Sequence, residues 1–231
     1  MQIIGFIKNS FIDFPTLISS VIFTPGCVLD CWYCHNREII HQREGIYQEE
    51  SILEFLDERK EFLDGVVISG GEPTMQEDLP TFIKKVRVLG LKVKLDTSGT
   101  NYEMLKSLID DNLLDYIAMD IKASFDTYRK ITSITDEQMK SVKKSIKLIK
   151  NSGLPYEFRT TFAPNLTVDN ITTLLTECAP IKNYSLQAYK RPSNIIESKL
   201  KEHKLSDYKK IKDFALKNKL VESFNIKNMD F

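Results

Sequence analysis

The sequence predicts an α/β fold, an incomplete parallel (β/α)6 barrel of the partial TIM type. It forms a single domain over residues 1–231, with a core at about 17–190 and short additions at both ends. Three observations predict it. Short β-branched runs alternate with amphipathic helical stretches six times in succession, and that alternation builds a parallel sheet with right-handed crossovers. The chain is long enough for one sizeable core, yet carries six units where a closed barrel carries eight. No linker and no break in composition divides it.

The elements follow in order. Residues Gln2–Ile12 read as an added hairpin or edge strand, and Leu17–Phe23 as the first strand of the core. A helix is predicted over Gln48–Lys60, then the β-branched strand Val66–Ser69, ending in a Gly-Gly pair. Helix Leu79–Leu89, strand Leu91–Asp96, helix Tyr102–Asp111 and strand Tyr116–Ile121 continue the alternation. Asp136–Asn151 has the spacing of a long amphipathic helix, closed by Gly153 and Pro155. Strand Tyr156–Phe162, helix Thr167–Cys178 and strand Tyr184–Gln187 complete six repeats. An extension at about 195–231 adds a helix near Asp207–Asn218 and a strand near Leu220–Ile226.

The bulk numbers exclude several function classes. The 32 basic and 32 acidic residues give zero formal charge, so there is no global basic excess to neutralise phosphates, and no nucleic-acid partner is expected. The Lys-rich stretches Lys140–Lys150 and Lys199–Lys219 are interleaved with acids and apolar residues and read as solvated helix faces. There is no run of 18 apolar residues and no secretory signal, so neither a membrane span nor export is expected. Four cysteines, three of them crowded together, do not make a disulfide framework; they suit a reducing cytoplasm. Cys178, alone on a helix, reads as a small buried hydrophobe.

The chemistry concentrates at the carboxyl ends of the predicted strands, where parallel barrels place their sites. Cys27, Cys31 and Cys34 form C-x3-C-x2-C after the first strand, within Thr24-Pro25-Gly26-Cys27 and Trp32-Tyr33-Cys34-His35-Asn36. Gly70-Gly71-Glu72-Pro73 follows the second strand and Asp96-Thr97-Ser98-Gly99 the third; Asp120 and Lys122 lie at the fourth. Three thiolates can hold three corners of a [4Fe–4S] cluster, which ordinarily takes four, so one iron is left open to a ligand. A zinc site would need a fourth ligand, and His35, adjacent to Cys34, cannot turn back to the same metal. Trp32 reads as packing. Arg159 and Gln187, on the fifth and sixth strands, point toward the site if the strand phase holds, and a buried arginine there needs an acidic partner or ligand.

These motifs resemble the radical S-adenosylmethionine superfamily, whose hallmarks are the C-x3-C-x2-C loop and the Gly-Gly-Glu-Pro segment. Within it, the residues around Cys27–Asn36, Gly65–Thr74 and Leu95–Gly99 resemble the branch that activates glycyl radical enzymes. Met119-Asp120-Ile121-Lys122 resembles a segment of pyruvate formate-lyase activators. Gly5–Pro15 is similar to activators of anaerobic ribonucleoside-triphosphate reductase. The likeness covers roughly residues 1–190.

The resemblance implies the following. A [4Fe–4S] cluster sits on the three cysteines, and S-adenosyl-L-methionine is cleaved there to a 5′-deoxyadenosyl radical. That radical takes a hydrogen from a glycine of a partner, first of all anaerobic ribonucleoside-triphosphate reductase. Tyr33, His35, Gly70, Gly71, Glu72, Pro73, Thr97, Ser98, Asp120 and Lys122 contact the cofactor. Asp96, Thr97 and Asp120 hold a monovalent cation, although Asp96 and Thr97 equally suit a cap for the following helix. A flavodoxin- or ferredoxin-like protein donates the electron. The alternatives are an activator of pyruvate formate-lyase or a related enzyme, another radical reaction on a peptide, tRNA or small metabolite, and a non-enzymatic zinc or electron-transfer module.

Overall fold

The computed structural model describes residues 1–191 and 202–229. Among them run β1 (Gly5–Ser10), β2 (Ser19–Thr24), α1 (Glu49–Arg59), β3 (Gly65–Gly70), α2 (Leu79–Val88), β4 (Lys92–Thr97) and α3 (Tyr102–Asp110). There follow β5 (Tyr116–Asp120), α4 (Asp136–Asn151), β6 (Tyr156–Phe162), α5 (Val168–Cys178), β7 (Ile181–Ala188), α6 (Leu205–Lys217) and β8 (Val221–Lys227). The strands keep sequence order in one sheet. β1 is antiparallel to β2, while β2–β3, β3–β4, β6–β7 and β7–β8 are parallel. No described helix is long and apolar enough to cross a membrane.

The chain packs as two compact units, Met1–Val28 with Asn36–Ala118 and Lys140–Pro155, and Leu29–His35 with Met119–Met139 and Tyr156–Phe231. In the first, β2, β3 and β4 are buried on both faces, as covered parallel strands are. Val66, Ile68, Val93 and Leu95 are fully buried, as are Leu56 of α1, Ile83 and Val86 of α2, and Leu105 and Leu108 of α3. The opposite strand face changes character along its length. Near the amino ends, Phe14, Val21 and Val67 form an apolar cluster with Leu17, Phe23 and Tyr116 packed against it. Lys94, in register with Val67, begins the change, and Ser69 and Asp96 continue it toward the carboxyl ends, because residues two apart share a face.

Helix starts show which residue types decide them. Thr167 caps α5 in a capping box with Asn170. At α3 the cap is Asn101, whose side chain accepts the Met104 N–H at 3.2 Å. The capping role expected of Asp96 and Thr97 is therefore overturned; both lie at the end of β4, upstream of the turn that ends at Asn101. In α4, Val142, Ile146 and Ile149 bury one stripe and the lysines take the rest, as the 3.6-residue period requires.

In the second unit Phe158, Tyr184 and Phe224 stand in register across β6, β7 and β8 and are buried. Helices α5 and α6 bury Ile171, Leu174, Leu175 and Cys178, and Tyr208, Ile211 and Ala215. The alternate residues are polar: Glu157 accepts from Ser185 Oγ at 2.8 Å and from Lys227 Nζ at 2.8 Å. β7 begins at Ile181, three residues before the expected Tyr184, because exposed Lys182 and half-buried Asn183 interrupt the apolar run while the pairing with β8 continues to Val221. β8 pairs parallel with β7, so α6–β8 repeats the βα pattern. The expected start of the extension near residue 195, and the first two lysines of the Lys199–Lys219 run, lie outside the described residues.

Candidate active site

The cysteine loop is tied down by its backbone. Gly26 N–H donates to the Ile39 carbonyl at 2.8 Å and Cys27 N–H to the Ile40 carbonyl at 3.0 Å. Trp32 N–H donates to the Ile131 carbonyl at 3.3 Å, and Cys34 N–H to the Cys31 carbonyl at 3.0 Å. Cys31 is buried, Cys27 and Cys34 are half-buried, and none of the cysteines is in a disulfide. Among the described residues no three His, Cys, Asp or Glu side chains converge as a single-ion site. Ligands to a cubane bind separate irons and need no common point, so the donor set of three thiols on one short, fixed loop suits a cluster.

The Gly-Gly-Glu-Pro segment holds the start of that loop. Gly71 N–H donates to the Thr24 carbonyl at 2.9 Å and Glu72 N–H to the Gly26 carbonyl at 2.8 Å. A Cβ on Gly70, whose φ is +116°, would strike the Thr24 backbone, and one on Gly71 would fall inside the Gly26 carbonyl. The close approach that these glycines permit is thus to the chain's own backbone beside Cys27. Asn36 Nδ2 donates to the Gly70 carbonyl at 3.2 Å and fastens the far side of the loop to the same place.

Glu72 is 1% exposed, and its carboxylate is the hub of β3's and β4's ends. Oε1 accepts from Thr97 Oγ1 at 2.7 Å, Thr74 Oγ1 at 2.5 Å and Thr74 N–H at 3.2 Å. Oε2 accepts from Ser98 N–H at 2.7 Å and Ser98 Oγ at 2.5 Å. This acid spends its acceptors inside the protein and joins two strand ends into one rigid rim. Pro73 opens a short 3-10 turn and is buried beside it. Next to the hub, Asp96 Oδ1 takes the Lys94 ammonium at 2.5 Å and Oδ2 accepts from Ser69 Oγ at 3.2 Å.

The second unit brings Tyr33, Asp120, Lys122 and Arg159 together. Arg159 Nε donates to Asp120 Oδ1 at 2.9 Å and Lys122 Nζ to Asp120 Oδ2 at 3.3 Å. Burial alone would raise the Asp120 carboxyl, but Arg159 and Lys122 outweigh it and hold the pKa well below the carboxylate range. Burial pushes Lys122 down, yet Asp120 keeps its ammonium protonated well above the usual lysine value. Burial pushes the Tyr33 phenol up, with Lys122 opposing, so it stays neutral. The Tyr33 hydroxyl and Trp32 Nε1 are buried without a protein hydrogen-bond partner. Trp32 packs on Tyr33 and Tyr189 at 5.5 and 5.8 Å between centroids, as its packing assignment required. Gln187 is half-buried at the register position of Thr161, on the strand face that carries Arg159. His35 closes the loop and is exposed.

The family model described as the radical SAM superfamily matches residues 21–178, from β2 through α5. The chain belongs to the radical SAM superfamily. A Methanocaldococcus jannaschii protein assigned to the glycyl-radical enzyme activating enzymes is 32% identical over 96% of this radical SAM chain and 95% of its own length. The pyruvate formate-lyase-activating enzyme of Clostridium pasteurianum is 30% identical over 72% of this chain and 71% of its own. Among solved structures, Streptococcus suis SuiB bound to S-adenosylmethionine superposes with a TM-score of 0.69 at 15% identity, over 90% of this chain and 52% of that one. The chain spans about half the length of that structure, and the likeness carries the fold class, an open and largely parallel α/β sheet of the partial-barrel type.

This radical SAM enzyme gives structural roles to Gly26, Asn36 and Thr74, which the motifs carried without a role, and to Asn101, which lies outside them: all four fasten the rim, Asn101 Nδ2 donating to the Thr74 carbonyl at 2.7 Å. Lys94 was readable as a partner of Asp96, because the two stand two apart on one strand and so share a face.

Proposed function

We propose that this radical SAM enzyme activates a glycyl radical enzyme, and that its partner is an anaerobic ribonucleoside-triphosphate reductase. The observation that carries the activase reading is the 32% likeness to the M. jannaschii protein over nearly the whole of both chains. The resemblance of Gly5–Pro15 supports the choice of partner; the tip of that segment presents Phe11 and Ile12 to solvent at 73% and 88% exposure. When bound, a [4Fe–4S] cluster on Cys27, Cys31 and Cys34 supplies the electron that cleaves S-adenosylmethionine, the hard chemistry being the cofactors' own.

The protein's share is positioning. Gly70, Gly71 and Asn36 fix the ends of the cysteine loop; Glu72 locks Thr97 and Ser98 beside it, and Pro73 and Thr97 are buried there. Lys122 and Asp120 set the charge next to Tyr33. A flavodoxin- or ferredoxin-like donor and a reducing cytoplasm suit three reduced thiols.

The test is anaerobic incubation with S-adenosylmethionine, reductant and a purified anaerobic ribonucleotide reductase, followed by electron paramagnetic resonance. A glycyl radical doublet on the reductase is expected; cofactor cleavage without that doublet sinks the partner assignment. The C. pasteurianum relative favours a second reading, activation of pyruvate formate-lyase, which the same experiment with that protein decides.

A further inference from the structure

The resemblance that assigns a monovalent cation to Asp96, Thr97 and Asp120 meets a chain that already holds a cation at Asp96. Lys94 is a fully buried lysine, 1% exposed, whose ammonium lies 2.5 Å from Asp96 Oδ1. The other Asp96 oxygen accepts from Ser69, the residue before Gly70-Gly71. The Thr97 hydroxyl donates to Glu72 Oε1 at 2.7 Å and accepts the Gly99 N–H at 3.0 Å, which turns its proton toward Glu72 and uses one of its two lone pairs. A metal cation at Asp96 would sit beside a buried ammonium and compete with it for the same carboxylate, like charge against like. The residues present do not fit the metal.

We propose that the Lys94 ammonium is the resident cation of this rim: it replaces a monovalent metal ion at Asp96 and Thr97 and offers its remaining N–H donors to the anionic group of the bound cofactor. An ammonium has three donors, and one suffices for Asp96. Its charge stands at the carboxyl end of β4, next to the Ser69–Glu72 segment, where a carboxylate-bearing ligand such as an amino-acid derivative would seek it. Lys94 is thus a positioning residue, and the enzyme is independent of sodium and potassium. The inference rests on the reading of this rim as the cofactor site, but its metal half can be tested without it.

The experiment uses the full chain, reconstituted anaerobically and exchanged into tetramethylammonium salts. Sodium-23 relaxation is recorded on wild type and Lys94→Met, with potassium as competitor. In parallel, 5′-deoxyadenosine formation without any partner is measured in tetramethylammonium and in potassium chloride at equal ionic strength. Wild type should give no saturable sodium broadening and equal cleavage in both salts. Lys94→Met should gain saturable, potassium-competed broadening, and its cleavage should rise at least about tenfold on adding potassium, whereas Lys94→Arg should stay salt-independent. Saturable sodium binding to the wild type, or wild-type cleavage that depends on potassium, overturns the proposal. Should Lys94→Met fail to fold, the wild-type arms decide it. Absence of all cleavage would count against the cofactor reading, and the sodium measurement would still decide the cation.

Discussion

Glu72 N–H donates to the Gly26 carbonyl at 2.8 Å, so the acid after the Gly-Gly pair is hydrogen-bonded to the residue before the first cluster cysteine. Two hallmarks 36 residues apart are one piece of backbone in the folded chain. The carboxylate of the same residue gathers Thr74, Thr97 and Ser98, which makes the rim rigid from β2's end to β4's.

Gly71→Ala places a methyl group inside the Gly26 carbonyl, and neither backbone can yield without breaking its hydrogen bond. The variant should lose at least about 2 kcal/mol of stability, as overpacking does, and bind less iron per chain than wild type. Denaturant titration and iron analysis of reconstituted protein check both; wild-type iron content would show that the loop does not depend on this contact.

Glu72→Gln replaces one acceptor oxygen by an NH2 group that must face the donors of Thr97 and Thr74 or of Ser98. Unmaking charge-assisted bonds at a buried carboxylate costs about 2–3 kcal/mol. The expected result is a lower melting midpoint with weaker S-adenosylmethionine binding; unchanged stability would mean that the hub does not hold the rim.

Arg159 and Lys122 lower the Asp120 pKa against the effect of burial. A carboxyl depressed in the folded state contributes stability above its unfolded pKa of about 3.9 and loses it as the pH falls toward the folded value. The stability difference between wild type and Asp120→Asn should therefore be constant from pH 7 to about 5 and shrink below about 4. Arg159→Met should cost about 2 kcal/mol at neutral pH, less than a fully buried pair because Asp120 is partly exposed. Urea midpoints across this pH range test the sign; a difference that grows on acidification contradicts the assignment.

Much of the fold was legible because its signals are local. α4 and β6 have the predicted bounds, since a three-to-four-residue apolar stripe and a β-branched, aromatic run leave little choice. β7 was under-read because Lys182 and Asn183 face outward at its start, and a strand that is polar on one side shows itself only through its partner. The thiol loop and the Gly-Gly segment were legible as chemistry, while their mutual hydrogen bonds were not, because backbone contacts leave no side-chain signature. The helix cap went to Asn101 rather than Asp96 and Thr97, since those two are drawn into side-chain bonds with Lys94 and Glu72.

The most direct measurement is 5′-deoxyadenosine formation by anaerobically reconstituted wild type and Cys31→Ala under strong reductant, with iron and sulfide counted in the same samples. Wild type should carry iron and sulfide and release 5′-deoxyadenosine; Cys31→Ala should do neither. Cleavage that survives in Cys31→Ala, or wild type holding zinc with no 5′-deoxyadenosine formed, would contradict the assignment of the three thiols to a cofactor-cleaving cluster.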